Sequence, residues 1–186
     1  MTFQGKKIVI AVCGSVSAYV ACEVVDYLTK HAADVQVLMT ENATKFVSEL
    51  TFKTLSHKPV VCDLYTLSEA FHIPHIDVTA EADFIFVLPA TASTMAKVAQ
   101  GMADNPVTAS ILSASCPVYF APTMNVKMYA KAATQSNLAR LKEMGYHIIE
   151  PAEGKMICGA VGPGKMQSAE YLCDYISKLL LAEDQD

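Results

Sequence analysis

Long apolar runs are missing from this sequence of 186 residues: none approaches the ~18 residues that cross a bilayer. The N-terminal Met1-Thr2-Phe3-Gln4-Gly5-Lys6-Lys7 leads into an apolar stretch of only seven residues, Ile8 to Gly14, too short for a secretory signal core. These absences predict a cytoplasmic protein with no membrane partner. Positive charge is scarce as well. Lys and Arg total 14 against 19 Asp and Glu, for a formal net charge of −5, and Lys6-Lys7 is the one basic pair. That balance excludes a nucleic-acid partner. The six cysteines (Cys13, Cys22, Cys62, Cys116, Cys158, Cys173) show no Cys-x-x-Cys spacing and never pair with the five histidines at ligand spacing. No metal site is expected, and most of the thiols read as reduced, buried small hydrophobes.

What is present is apolar bulk and alternation. Hydrophobic residues make up 52% of the chain and charged ones 18%, enough for one well-cored domain over residues 1–186, with buried interfaces. Lys7 to Cys13, Val35 to Met39, Phe84 to Leu88 and Val118 to Ala121 are near-continuous β-branched or aromatic runs of the kind that fill a parallel sheet. Helical stretches alternate with them: Ala18 to about Lys30, Ser93 to Gln100, Ala132 to Met144 with Gly145 as its stop, and Ser168 onward. Tyr146 to Ile149 reads as the last strand. The alternation predicts a Rossmann-like, doubly wound parallel sheet in a flavodoxin-like three-layer α/β/α arrangement.

Several segments carry chemistry. Gly14-Ser15-Val16-Ser17 joins the first strand to the first helix, where N–H groups and hydroxyls suit a phosphate, although Gly-x-Gly-x-x-Gly is absent. Thr40 and Thr91-Ala92-Ser93-Thr94 repeat the hydroxyl-rich theme at two other strand ends, and a phosphorylated ligand accounts for all three turns better than three separate helix caps. Pro122 ends the fourth long strand and leaves Asn125 in a loop at its C-terminal edge, where open α/β sheets bind ligands. Its amide donors suit a carboxylate. Gly159 to Met166 resembles a P-loop but has Met166 after Lys165 in place of Ser or Thr, so an NTPase is not expected. Pro151 to Met166 carries four glycines and, after Pro151 itself, a second proline, the composition of a lid loop. His75, placed in a loop, is a candidate base, and His72 a surface residue. Cys158 lies in the glycine-rich loop, where a thiol can approach a substrate and withdraw.

Taken in order, Gly14-Ser15-Val16-Ser17-Ala18, His75-Ile76-Asp77, Gly101-Met102-Ala103-Asp104-Asn105, Pro122-Thr123-Met124-Asn125-Val126-Lys127-Met128-Tyr129, Ala133 to Leu138, and Cys158-Gly159 with Gly162-Pro163-Gly164-Lys165-Met166 resemble the flavin-containing cysteine decarboxylase family over nearly the whole chain. The resemblance implies FMN as cofactor, with its phosphate near Gly14, Ser15 and Ser17 and further contacts from Thr40, Thr91, Ala92, Ser93, Thr94 and Thr123. It implies the reaction of 4′-phosphopantothenoylcysteine to 4′-phosphopantetheine and carbon dioxide in coenzyme A biosynthesis, through a thioaldehyde and an enethiolate. His75, Asn125 and Cys158 would be the catalytic residues: His75 as base or orienting group, Asn125 on the carboxylate, Cys158 as proton donor to the enethiol. Met124, Met128 and Lys165 would complete the substrate site. Homotrimers, or dodecamers built from trimers, are implied as well.

Relatives define the alternatives. Enzymes that oxidatively decarboxylate C-terminal cysteines of peptides in lantibiotic maturation share the His and Asn motifs but stop at the enethiol without the cysteine. Non-catalytic regulatory flavoproteins carry long acidic extensions, of which only Glu183-Asp184-Gln185-Asp186 is seen here. Prenyl-flavin transferases fit the Asn and Cys motifs poorly. Ser93, Thr123 and Tyr129 depart from the residues commoner in the family, and the end at Asp186 predicts a stand-alone decarboxylase served by a separate synthetase.

Overall fold

Runs too apolar to leave either face in water become the strands of one parallel sheet in the computed structural model, which describes residues 2–65, 73–155 and 159–183. His72 and Cys158 lie outside the described residues. The sheet comprises β1 (Lys7–Val12), β2 (Asp34–Met39), β3 (Phe84–Ala90), β4 (Val118–Pro122) and β5 (His147–Ile148), in the order β2-β1-β3-β4-β5. All four pairings are parallel, which needs a crossover between each strand and the next in sequence. That strand order is the flavodoxin-like one, with the chain reversing its winding direction between β1 and β3.

Alternation along β1 shows how the layers are divided. Ile8, Ile10 and Val12 face a core shared with α1 (Ala18–Lys30), α2 (Glu49–Ser56) and α8 (Ala169–Glu183). Val9, Ala11 and Cys13 face the other core, closed by α4 (Ala92–Ala99), α5 (Pro106–Ser113) and α7 (Ala132–Glu143). The short α3 (Pro74–Ala80) packs on α5. Phe52, Phe86 and Phe120 are fully buried, each stabilising the fold by about 1.5–3 kcal/mol through burial alone. Helix ends follow their residues. Asn105 caps α5 by accepting from Val107 and Thr108 N–H, with Pro106 in the first turn, and Gly145 takes φ +89° just after α7. No helix among the described residues is long and apolar enough to cross a membrane.

The structure corrects three expectations. The segment expected as a lid loop is, on both sides of its tip, an antiparallel hairpin of β6 (Ala152–Lys155) and β7 (Val161–Lys165). Tyr146 to Ile149 is therefore not the last strand of the chain, and only His147 and Ile148 pair with β4. His75 sits in the first turn of α3, because Pro74 starts a helix there; it is not in a loop.

Candidate active site

Backbone bonds align four strand ends at the C-terminal edge. Thr40 N–H donates to the Val12 carbonyl at 3.0 Å, Cys13 N–H to the Pro89 carbonyl at 3.3 Å, and Thr123 N–H to the Ala90 carbonyl at 3.0 Å. Gly14 follows β1 directly beneath Asn42. A Cβ at position 14 would stand 2.6 Å from Asn42 Cβ and 2.9 Å from its carbonyl carbon, so glycine is required by packing alone. Asn42 is a residue the sequence reading passes over.

The turn after Gly14 has the chemistry of an anion site. Ser15 Oγ accepts from Ser17 N–H at 3.2 Å, and Ser17 stands at the N-cap of α1 without spending its own hydroxyl on the helix. The first turn of α1 carries no acidic residue, so the positive end of a thirteen-residue helix meets two hydroxyls. Thr40 and Thr91 behave differently. Thr40 Oγ1 accepts from Ala43 N–H at 3.3 Å, and Thr91 Oγ1 accepts from Thr94 N–H at 3.3 Å while donating to Thr94 Oγ1 at 3.2 Å. Both hydroxyls cap their own turns. The buried Cys13 thiol lies against Thr91 and Thr94; burial pushes its pKa up, and the threonine contacts oppose this only in part.

Asn125 is held from both sides. Pro122 ends β4, and Asn125 caps α6 (Val126–Tyr129) by accepting from Lys127 N–H at 2.8 Å. Its Oδ1 serves that cap. Met124 N–H donates to the Gly164 carbonyl at 3.0 Å, and Gly162 lies where a Cβ would meet Val126 Cγ1 at 3.0 Å. The hairpin is thereby docked on the Asn125 segment through two glycines. Glu150, at the foot of the hairpin, accepts from the Tyr129 hydroxyl at 3.2 Å and pairs with Lys142 at 3.1 Å, while its carbonyl accepts from Gln167 Nε2 at 2.9 Å. Burial, with the Glu150 charge adding to it, pushes the Tyr129 phenol up to about 12.

Between α1, the Asn125 segment and the hairpin lies a cavity of about 860 Å³. Of the expected site residues, it gathers Ser15, Ser17, Thr123, Met124, Asn125 and Lys165, and it adds Tyr19, Glu23 and Lys155, which sequence reasoning missed. Nothing in their local sequence marked those three, because the hairpin and the long α1 wall bring them there. Gly14, Thr40, Thr91, Ala92, Ser93, Thr94, Met128 and His75 do not line it. His75 sits on α3, where its carbonyl accepts from the hydroxyls of Thr79 at 3.1 Å and Ser113 at 3.2 Å; its Nδ1 is buried with no hydrogen-bond partner. No group of three or more potential metal ligands occurs among the described residues. The hydroxyls and helix end at Ser15 and Ser17 fit the phosphate of the flavin that the resemblance implies, and the cavity lies within the size range of small-molecule and cofactor sites.

Comparison with known proteins agrees with this picture. The chain is 41% identical over 177 residues to a probable phosphopantothenoylcysteine decarboxylase of Streptococcus mutans, covering 94% of this chain and 99% of that protein. It is 40% identical over 175 residues to the coenzyme A biosynthesis bifunctional protein CoaBC of Bacillus subtilis, covering 94% of this chain. The chain spans 43% of the length of that bifunctional relative. Among solved structures, the FMN-dependent cysteine decarboxylase SpaF superposes with a TM-score of 0.82 at 32% identity, covering 97% of this chain and 98% of that one. The flavoprotein family model matches residues 2–181, and with the flavodoxin-like sheet and the cavity at its C-terminal edge it leads to one conclusion: this chain belongs to the flavoprotein family.

Proposed function

We propose that this chain is an FMN-dependent decarboxylase that converts 4′-phosphopantothenoylcysteine to 4′-phosphopantetheine and carbon dioxide. One observation carries the reading: a single cavity holds an anion cradle at Ser15 and Ser17 together with the Asn125 amide. The relationship to the Streptococcus mutans protein supports the choice of substrate.

When bound, FMN supplies a two-electron acceptor that is also the later donor, so the reaction is redox-neutral overall. The residues of the chain do the rest. Ser15, Ser17 and the N-terminus of α1 hold the cofactor's phosphate, with Thr123 beside the flavin. Asn125 donates its amide hydrogens to the substrate carboxylate and fixes the scissile bond; Met124 shapes the apolar part of the pocket. His75 takes the proton released as the cysteine side chain is oxidised to the thioaldehyde, which withdraws electrons from the carbon bearing the carboxylate. Carbon dioxide then leaves, and Cys158 returns a proton to the enethiol. The β6–β7 hairpin covers the bound substrate. The active unit is a homotrimer in which His75 serves the cavity of an adjoining subunit. Supporting that arrangement, His75 lies outside the lining of its own cavity, on a helix where the neighbouring Ile73 and Ile76 are 49% and 47% exposed.

A mass spectrum of the product formed by the FMN-loaded protein tests this reading. Loss of carbon dioxide alone is expected. Loss of carbon dioxide and two hydrogens would mean an enzyme that stops at the enethiol, and an unchanged substrate would refute decarboxylation.

A further inference from the structure

Several lysines form ion pairs among the described residues. Lys30 pairs with Asp26 at 2.6 Å, Lys97 with Asp104 at 2.6 Å and Lys142 with Glu150 at 3.1 Å, and Lys7 and Lys58 pair with Glu81 and Asp34. Lys155 and Lys165 differ in two respects. Both line the large cavity, and neither forms an ion pair among the described residues. They come from the two strands of one hairpin, in which Ala152 is opposite Lys165 and Lys155 is opposite Val161. The Lys165 side chain runs back across Gly154, where a Cβ would lie 3.6 Å from its Cδ and 4.0 Å from its Nζ. Its ammonium is thus carried beside the residue that precedes Lys155. Glu23, on the α1 wall, is the single carboxylate among the described lining residues, so the cations outnumber it. In a chain of formal charge −5, two ammoniums in one cavity with no ion pair among the described residues suit an anionic ligand.

The proposed substrate carries two anions. Asn125 is suited to the carboxylate, and the hydroxyls of Ser15 and Ser17 to the phosphate of the cofactor. The remaining anion is the substrate's own phosphate, which bears close to two charges at neutral pH. We infer that Lys155 and Lys165 bind the 4′-phosphate of the substrate and set the enzyme's preference for the phosphorylated compound. This rests on the decarboxylase reading above and adds to it the residues that choose the substrate. Lysine suits the task, since its compact charge on a flexible stem can follow a phosphate at the end of a long, flexible substrate.

The test compares 4′-phosphopantothenoylcysteine with its dephosphorylated form in FMN-loaded wild type, Lys155→Gln, Lys165→Gln and the double variant, recording flavin absorbance alongside. Wild type should favour the phosphorylated compound in kcat/KM. Each single variant should lower that preference about tenfold, through KM, and the double variant should approach no preference, with flavin content unchanged. An unchanged preference in the double variant, or equal use of both compounds by wild type, would overturn this inference alone. Loss of flavin from the double variant would assign the lysines to the cofactor and overturn it too. A wild type that decarboxylates neither compound would overturn the decarboxylase reading and this inference with it.

Discussion

Along the N-terminal edge of the sheet, Lys7 pairs with Glu81 and Lys58 with Asp34, and Lys7 N–H donates to the Asp83 carboxylate at 2.6 Å. The small cavity there, about 240 Å³, is lined by both ion pairs. Along the C-terminal edge the larger cavity contains two lysines with no ion pair among the described residues and a capping serine whose hydroxyl does no capping. The first edge uses its polar groups to anchor strand starts and helix ends. The second keeps donors in reserve, as expected where an open α/β sheet binds its ligands.

Substitutions can sharpen that contrast. The largest effect is expected at Asn125. Asn125→Asp keeps the cap of α6, since Asp accepts there as well as Asn, but sets a carboxylate against the substrate's own. Its kcat/KM should fall by at least about 100-fold with the unfolding curve nearly unchanged. Near-normal turnover would remove Asn125 from the site. Gly14→Ala comes next. The new Cβ would press on Asn42 Cβ and on the Asn42 backbone, an overpacking that costs about 1–3 kcal/mol in denaturant unfolding. Adding Asn42→Gly should recover only part of this, because the backbone contact remains; full stability in Gly14→Ala alone would mean that the turn yields.

The smallest effect belongs to the N-terminal edge. The hydrogen bond and charge of Lys7 hold the Glu81 carboxyl below its ordinary value, so what this pair contributes is present above the usual carboxylate range and is lost as pH falls through the depressed pKa. Glu81 is fully exposed, so Glu81→Gln should lower the neutral-pH Tm only slightly, and the difference should vanish in acid. A difference that persisted in acid would show that the charge pair is not its source.

The four long strands and the helices α1, α4, α7 and α8 were legible in the sequence because apolar period and length decide such elements. Gly145 as the stop of α7 was legible for the same reason that it works, its left-handed backbone. α5 escaped notice although Asn105-Pro106 is a strong start signal, because Pro106 to Ile111 is buried on every side and shows no helical period. The hairpin escaped because its strands, Ala152–Lys155 and Val161–Lys165, are built from Gly, Pro, Lys, Glu and Ala around a single valine, residues that disfavour strands, and Gly162 and Gly164 adopt φ +148° and +117°. In the site, Asn125, Ser15 and Ser17 were legible as residue types at strand ends. Lys155, Glu23 and Asn42 were not, since only the docking of the hairpin and the packing of the turn bring them to the cavity or its rim.

A crystal structure of the FMN-loaded protein would test the account most directly. The flavin phosphate is expected on Ser15, Ser17 and the first turn of α1, with the ring beside Thr123 to Asn125 and both lysines left for the substrate. A flavin phosphate lying on Lys155 and Lys165 would contradict it.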